Sequence, residues 1–191
     1  MTETSAPRQS AVFLDRDGVL NVYLPGDYVR TPGGLHLLPG AAQAVRALNN
    51  AHLPVFIISN QQGVAKGLMT GADLLHIDDA LKRNLAESAG AYVEQSYYCP
   101  HAASDDCPCR KPKGGMILQA AREHGLDLAT SVFIGDTETD AQAARDAGVG
   151  AFVLVLTGKH QNAASFPEAT DHIAETLGDA VEWALLRRVG A

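Results

Sequence analysis

The chain has 191 residues, of which 46% are hydrophobic and 19% are charged, a composition typical of a globular protein. Its formal net charge of −7 at pH 7 argues against a nucleic-acid-binding protein, which is usually basic. No apolar run approaches the roughly 18 residues of a membrane span, and the polar N-terminus lacks the apolar core of a signal peptide. We therefore expect a cytoplasmic protein without membrane or nucleic-acid partners, with a disordered tail over 1–10 and a single domain over 11–191.

Strand and helix signals alternate along this domain. Short apolar runs bounded by turn residues predict strands, and apolar residues at helical spacing predict helices. The predicted strands are 11–14, 55–59, 92–98, 131–136 and 150–156, and the predicted helices are 40–51, 71–90, 114–125, 138–148 and 176–189. This alternation is typical of an α/β fold, a Rossmann-like parallel sheet with helices on both faces. Because no heptad pattern is sustained on the helices, we expect a monomer.

All three cysteines lie in one short stretch, residues 97–112, which reads YYCPHAASDDCPCRKP. An odd number of cysteines excludes a complete disulfide framework, and a reducing cytoplasm disfavours disulfides. The stretch instead offers the Cys3His donor set of a closed structural zinc site, made of Cys99, His101, Cys107 and Cys109. We therefore expect a zinc-binding loop insertion whose metal shapes the loop without performing chemistry. The alternative is a loop with three free thiols and a surface histidine.

Polar side chains follow the carboxyl ends of the predicted strands, where ligands bind in parallel sheets. These residues are Asp15, Arg16 and Asp17 after the first strand, Ser59, Asn60 and Gln61 after the second, Asp136 and Asp140 after the fourth, and Arg110 and Lys111 before a helix. Carboxylates from different strands repel one another unless a cation lies between them, and oxygen ligands suit Mg²⁺. The set predicts phosphoryl transfer, in which one carboxylate attacks phosphorus and a second moves protons. For Asp140, a helix cap is the alternative interpretation.

The motifs resemble those of phosphatases of the haloacid dehalogenase superfamily. Residues 13–21 (FLDRDGVLN) are similar to their first motif, residues 57–60 to the second, Lys111 to the third, and residues 134–136 with Asp140 to the fourth. Within the superfamily, the zinc loop and the run SNQQGVAKG resemble the branch of the heptose-bisphosphate phosphatases, with the histidinol-phosphate phosphatases as close relatives. The stretches between the motifs are too short for an inserted domain, so we expect no large cap domain.

The resemblance implies a role for each matching residue. Asp15 would be the nucleophile and Asp17 the general acid and base, while Ser59 and Lys111 would hold the transferring phosphoryl group. Asp15, Asp136 and the main-chain carbonyl of Asp17 would bind Mg²⁺, and the four cysteine and histidine ligands would bind Zn²⁺. The implied substrate-binding residues are Arg16, Asn60, Gln61, Gln62 and Arg110.

The resemblance also implies a small phosphorylated sugar as the substrate. The runs at 63–67, 114–116 and 157–159 favour removal of the 7-phosphate of D-glycero-D-manno-heptose 1,7-bisphosphate through an aspartyl phosphate. Histidinol phosphate and other small sugar or polyol phosphates are alternatives, and Thr137 stands where the heptose enzymes commonly carry lysine. A non-catalytic binding module is the alternative from another class, although such a module would be expected to lack the catalytic carboxylates.

Overall fold

The computed structural model describes residues 8–159 and 170–189. Strands and helices alternate within these residues. The strands are β1 (Val12–Leu14), β2 (Val55–Asn60), β3 (Gln95–Cys99), β4 (Val132–Gly135), β5 (Ala151–Val155) and β6 (His172–Ala174). The helices are α1 (Ala41–Asn50), α2 (Gly71–Ala89), α3 (Gly115–His124), α4 (Glu138–Ala147) and α5 (Leu177–Val189). All six strands pair in parallel in the order β3-β2-β1-β4-β5-β6, so the predicted α/β fold is confirmed.

The sheet is buried on both faces because successive side chains of a strand point to opposite sides. Val12 and Leu14 of β1 belong to one apolar cluster, together with buried residues of α1, α2 and α5. Phe13, between them, belongs to a second cluster with buried residues of α3 and α4. Continuous apolar strands are therefore what this three-layer arrangement requires.

A row of phenylalanines crosses the second face. Phe13 stands in register with Phe56 and Phe133, and Phe133 with Phe152. Ring centroids lie 5.8 Å apart for Phe13 and Phe56 and 6.0 Å apart for Phe133 and Phe152, within the range of favourable aromatic pairs. Apart from Asp140 in the first turn, the buried residues of α4 are alanines, whose small side chains let the helix lie close to these large rings.

The strand order places a crevice above the centre of the sheet. The chain runs outward from β1 to β3 at one edge and then returns to β4, beside β1. The connections after β1 and β4 therefore leave the sheet toward opposite faces, and such a switch point is where open α/β sheets bind ligands. The residues that follow β1 and β4 are the predicted catalytic aspartates.

Two features differ from the sequence-based expectation. Strand β6 was missed because it has three residues, of which only Ala174 is buried, too short a pattern to stand out. The predicted disordered tail over 1–10 also extends too far. Residues 1–7 lie outside the described part, but Gln9 accepts a hydrogen bond from the amide of Asp127 and Ser10 bonds to Thr130. In the described part of the chain, no helix combines the length and apolar character that a membrane crossing needs.

Candidate active site

A buried lysine lies at the centre of the site. The Lys111 ammonium lies 3.0 Å from Oδ1 of Asp15 and 2.6 Å from Oδ1 of Asp140, and it donates to the carbonyl of Ile58 at 2.8 Å. Burial lowers the pKa of Lys111, but Asp140 and Asp15 outweigh burial and hold that pKa above its usual value. The ammonium therefore stays charged between two carboxylates.

Asp140 is both a helix cap and the partner of this lysine. Its Oδ2 accepts the main-chain amides of Asp136 and Thr137, at 3.2 and 3.0 Å, and the Thr137 hydroxyl at 2.6 Å. Its Oδ1 faces Lys111. Asp140 thus caps α4, as the alternative interpretation predicts, and its second oxygen contacts the lysine that is predicted to hold the phosphoryl group.

Three carboxylates meet beside Lys111, and we call Asp15, Asp136 and Asp140 the carboxylate cluster; one oxygen of each lies within 4.8 Å of the others. Burial raises the pKa of Asp136 to about 8, and the negative charges of Asp15 and Asp140 add to the rise. Burial also raises the pKa of Asp15 to about 6, although Lys111 opposes the shift. The cluster carries more negative charge than one ammonium neutralises.

This excess charge fits a bound Mg²⁺. Oδ2 of Asp136 accepts the amide of Lys159 at 2.6 Å, whereas Oδ1 is buried without a hydrogen-bond partner among the described residues. Both oxygens of Asp140 are already engaged. Asp136 and Asp15 are therefore the members of the cluster with ligand capacity left, and carboxylate oxygens are the ligands that Mg²⁺ prefers.

The carboxylate of Asp17 is held by donors from three directions. Nη2 of Arg16 donates to Oδ1 at 3.1 Å and to Oδ2 at 2.9 Å, Asn21 donates to Oδ1 at 2.9 Å, and Gln61 donates to Oδ2 at 2.8 Å. Arg16 is fully buried, and its guanidinium lies over the ring of Tyr98 at 5.8 Å. Arg16 and Gln61 thus contact Asp17 and do not project into the open space of the site.

The end of β2 fixes the backbone of Lys111. The side chain of Asn60 donates to the carbonyl of Lys111 at 3.0 Å and accepts its amide at 3.1 Å. Ser59, one residue earlier, is buried and accepts from Gln61 at 3.2 Å. This reciprocal pair joins two motifs that are about fifty residues apart in the chain.

Two glycines allow the main chain to close around Asp136. Gly18 has φ +87, and a Cβ there would lie 2.6 Å from Oδ2 of Asp136. A Cβ on Gly158 would overlap the same carboxylate. The Thr157 hydroxyl ties the two segments together by donating to the carbonyl of Gly18 at 2.6 Å. The site is therefore assembled from the loops after β1, β4 and β5.

An open cleft of about 150 Å³ lies above these residues. Seven of its lining residues belong to the motifs named in the sequence: Asp15, Asp17, Ser59, Asn60, Lys111, Asp136 and Asp140. Its other lining residues are Tyr23, Leu24, Asp27, Tyr28, Val29, Thr137 and Thr139. The structure thus brings the predicted nucleophile, acid, phosphoryl-holding pair and Mg²⁺ ligands to one cavity.

Four of the predicted substrate-binding residues do not line this cleft. Arg16 and Gln61 are buried behind Asp17, and Gln62 is half-buried in the next turn. Arg110 donates to the carbonyl of His101 at 3.3 Å. The sequence analysis missed Tyr28 as a lining residue, although it lies in the long connection between β1 and α1 that faces the site.

The four predicted zinc ligands also converge. Sγ–Sγ and Sγ–Nδ1 contacts of 3.2 to 3.6 Å join Cys99, His101, Cys107 and Cys109, and all four ligand atoms lie within 4.8 Å of one another. A tetrahedron with zinc–sulfur distances of about 2.3 Å has edges of roughly 3.8 Å. The cluster therefore has the donors and nearly the size that structural zinc requires, and the cysteines are not paired in disulfides.

The loop that carries this cluster supports the catalytic loops. The carbonyl of Cys99 accepts the amide of Gln61 at 2.7 Å, and the carbonyl of Pro100 accepts the amide of Ala65 at 3.1 Å. Lys113, after the cluster, bonds to the carbonyl and carboxylate of Asp106. The start of the zinc loop is thus tied to the turn after β2, and the Asn60–Lys111 pair ties its other end to β2.

Comparisons with known proteins agree with this geometry. A family model described as HAD-hydrolase-like matches residues 108–180. The D-glycero-D-manno-heptose-1,7-bisphosphate 7-phosphatase of Thermosynechococcus vestitus is 39% identical over 190 residues, covering 91% of this chain and 94% of the relative. The D-glycero-beta-D-manno-heptose-1,7-bisphosphate 7-phosphatase of Yersinia pestis is 36% identical over 176 residues, covering 88% and 92%.

A solved structure is similar along nearly its whole length. The D,D-heptose 1,7-bisphosphate phosphatase of B. bronchiseptica, complexed with magnesium and phosphate, superposes with a TM-score of 0.86 at 37% identity. The match covers 94% of this chain and 99% of that chain. With its parallel sheet, its carboxylate cluster and these similarities, this chain belongs to the D-glycero-D-manno-heptose-1,7-bisphosphate 7-phosphatase family of HAD-like hydrolases.

Proposed function

We propose that this protein is a Mg²⁺-dependent phosphatase that removes the 7-phosphate of D-glycero-D-manno-heptose 1,7-bisphosphate. One observation carries the proposal: Asp15 lines an open cleft between the Lys111 ammonium and Asp136. This arrangement suits a nucleophilic carboxylate whose target is an anionic phosphoryl group. The substrate follows from the names of the relatives, which are phosphatases of this heptose bisphosphate.

The first chemical step forms an aspartyl phosphate. A carboxylate oxygen of Asp15 attacks phosphorus, and the bond between phosphorus and the sugar oxygen breaks. Asp17 gives a proton to the departing alkoxide, so that the sugar leaves as an alcohol. Arg16, Asn21 and Gln61 support this role because they fix the orientation of the Asp17 carboxylate.

The second step releases phosphate. Asp17, now ionised, takes a proton from a water molecule as that water attacks the phosphorus of the aspartyl phosphate. The bond between phosphorus and Asp15 breaks, which returns a free carboxylate and yields inorganic phosphate. The proton taken from water restores Asp17 to the acid that begins the next cycle.

Positioning of the phosphoryl group falls to the end of β2 and to Lys111. The Ser59 hydroxyl and the Lys111 ammonium would donate to its oxygens, while Asn60 keeps the Lys111 backbone in place. Mg²⁺, when bound by Asp15, Asp136 and the Asp17 carbonyl, supplies positive charge that neutralises the equatorial phosphoryl oxygens. A Zn²⁺ at Cys99, His101, Cys107 and Cys109 would be structural, because four protein ligands leave no open position.

The test compares phosphate release from three substrates with Mg²⁺ present. These are the α and β anomers of D-glycero-D-manno-heptose 1,7-bisphosphate and histidinol phosphate. We expect rapid release from at least one heptose anomer, and a loss of more than about 10³-fold in Asp15→Asn, because the amide cannot act as the nucleophile.

Two outcomes would contradict the proposal. A preference for histidinol phosphate would keep the mechanism but change the substrate class. Unchanged activity in a folded Asp15→Asn variant would remove the nucleophile assignment. The monomeric state and the cytoplasmic location stay predictions from the sequence.

A further inference from the structure

The wall of the cleft carries groups to which the phosphatase mechanism gives no task. Tyr23, Leu24, Asp27 and Tyr28 line it, all from the connection between β1 and α1. Tyr28 contacts a lysine from a different connection, the one that follows β2. The Lys66 ammonium donates to the Tyr28 hydroxyl at 3.3 Å and lies 5.2 Å from the centre of its ring.

Both partners of this contact are held by their surroundings. The Tyr28 ring packs on Gly63, where a Cβ would lie 3.1 Å from the ring. The turn that carries Lys66 is closed by main-chain bonds from Lys66 to Gln62 and from Leu68 to Gly63. A third bond ties Ala65 to the zinc loop. Lys66 is thus an exposed cation on a fixed turn beside the cleft.

The Lys66 ammonium is not neutralised by the acidic side chain of the cleft wall, Asp27, and can therefore bind an anion. Asp27 accepts bonds from Arg30 at 3.0 and 2.6 Å, so this acid is neutralised within its own loop. Among the described residues, no carboxylate lies within ion-pair distance of the Lys66 ammonium. An ammonium has three N–H donors, of which the Tyr28 hydroxyl takes one. The other two can bind an anion.

The size of the cleft indicates where such an anion would lie. Its volume of about 150 Å³ is below the roughly 300 to 1,000 Å³ of common ligand pockets. The reacting phosphoryl group would occupy the part beside Lys111 and Asp136. The remote end of an extended substrate must then leave the cleft. Tyr28 lies in the wall of the cleft, and the Lys66 ammonium lies just beyond the Tyr28 hydroxyl.

We propose that Lys66 and Tyr28 form the subsite that binds the second phosphate of a bisphosphorylated sugar, a reading that rests on the proposed function. Lys66 pairs with the phosphate, and Tyr28 orients the ammonium through its hydroxyl and ring. The pair thereby selects bisphosphates over monophosphates. Arg110 is the rival for this task. Neither cation lines the cleft itself, but Lys66 bonds to Tyr28, which does, whereas Arg110 bonds to the carbonyl of His101 in the zinc loop.

The experiment uses two ligands that differ only in the C1 phosphate: D-glycero-D-manno-heptose 1,7-bisphosphate and the corresponding 7-phosphate. Lys66→Met removes the charge but keeps the length of the side chain, and Tyr28→Phe removes only the hydroxyl. Arg122→Met, an exposed cation in the last turn of α3 at the other end of the sheet, controls for net charge. We measure kcat/KM for both ligands, and their affinity for each variant in an Asp15→Asn background that does not turn over.

We expect Lys66→Met to lower kcat/KM and affinity for the bisphosphate about tenfold and to change the values for the 7-phosphate less than twofold. Tyr28→Phe should give a smaller loss with the same selectivity, and Arg122→Met should give none. Equal losses for both ligands, or no loss, would overturn the subsite. The subsite would also be overturned if Arg110→Met abolished the preference for the bisphosphate over the 7-phosphate while Lys66→Met left that preference intact.

Failure of the proposed function has a different signature. Wild-type protein would then release phosphate from neither ligand. The binding comparison in the Asp15→Asn background still decides the role of Lys66, because it needs no turnover. Equal affinity for the two ligands in that background overturns the subsite whatever the reaction.

Discussion

Lys111 is the side chain on which the electrostatics of the site depend. It is nearly fully buried, and it is ion-paired to both Asp15 and Asp140. Removing Asp140 leaves the buried Lys111 ammonium with Asp15 as its one ion-pair partner among the described residues, and breaking a buried ion pair is costly. Asp140 is therefore expected to matter for activity although it performs no chemical step.

We predict that Asp140→Asn lowers kcat/KM about 100-fold and the free energy of unfolding by about 3 kcal/mol. The amide can still accept the bonds that cap α4, but it no longer pairs with Lys111. Phosphate release and urea unfolding measure the two effects. Glu138→Gln, an exposed acid in the same helical turn, is the matched control. A loss no larger than that of the control would contradict the prediction.

Gln61 is the clearest test of how Asp17 is positioned. Its amide donates to Oδ2 of Asp17, and it does not line the cleft. We predict that Gln61→Leu slows hydrolysis of the sugar phosphate about tenfold, because Asp17 loses a bond that orients it toward the leaving group. With p-nitrophenyl phosphate, whose leaving group needs no proton, the loss in the first step should be smaller. Equal losses for both substrates would mean that Gln61 acts on the fold and not on Asp17.

The zinc loop is the element that connects β3 to the segment that carries Lys111. Its stretch, residues 97–112, begins within β3 and has Lys111 near its end. Its carbonyls hold the turn that carries Gln61 and Lys66. A metal that pins the loop would therefore support several parts of the site at once, without contact with the substrate.

We predict that Cys107→Ser lowers both the zinc content and the activity, the latter by about tenfold or more, because the loop before Lys111 loses its anchor. Zinc content is measured by elemental analysis and activity by phosphate release. Ser104→Ala, an exposed position in the same loop, should change neither. A zinc-free variant with full activity would show that the metal and the active site are independent.

At the scale of the whole molecule, the site depends on loops that the sheet brings together. Asp136 lies in a space bordered by Gly18 from the β1 connection and Gly158 from the β5 connection. Three parallel strands must be in register for these segments to meet. The geometry around Asp136 therefore reports on the packing of the central strands.

We predict that Gly158→Ala lowers the affinity for Mg²⁺ about tenfold or more. The methyl group of the alanine would overlap the carboxylate of Asp136 and displace that carboxylate. Mg²⁺ titration of activity, together with direct calorimetric binding, measures the change. Gly178→Ala is the control, since a Cβ there has its nearest neighbour at 3.5 Å. Unchanged Mg²⁺ affinity in Gly158→Ala would indicate that Asp136 is not a ligand.

Most of the fold was predictable because its signals are local. Each central strand is a continuous apolar run, and helices such as α3 and α4 end at glycines. Strand β6 escaped because a three-residue edge strand buries too little to leave a pattern. The cysteine cluster was predictable for a related reason, since four soft ligands within eleven residues can converge without help from the rest of the chain.

The sequence by itself determined the α/β class, the residues at the strand ends and their chemical types, because strand periodicity and motif spacing are properties of short segments. Only the tertiary structure decided which atoms meet. It placed Arg16 and Gln61 behind Asp17, gave Asp140 its second task at Lys111, and set Lys66 against Tyr28. These contacts join residues on different loops, so their geometry depends on how the strands pair and pack.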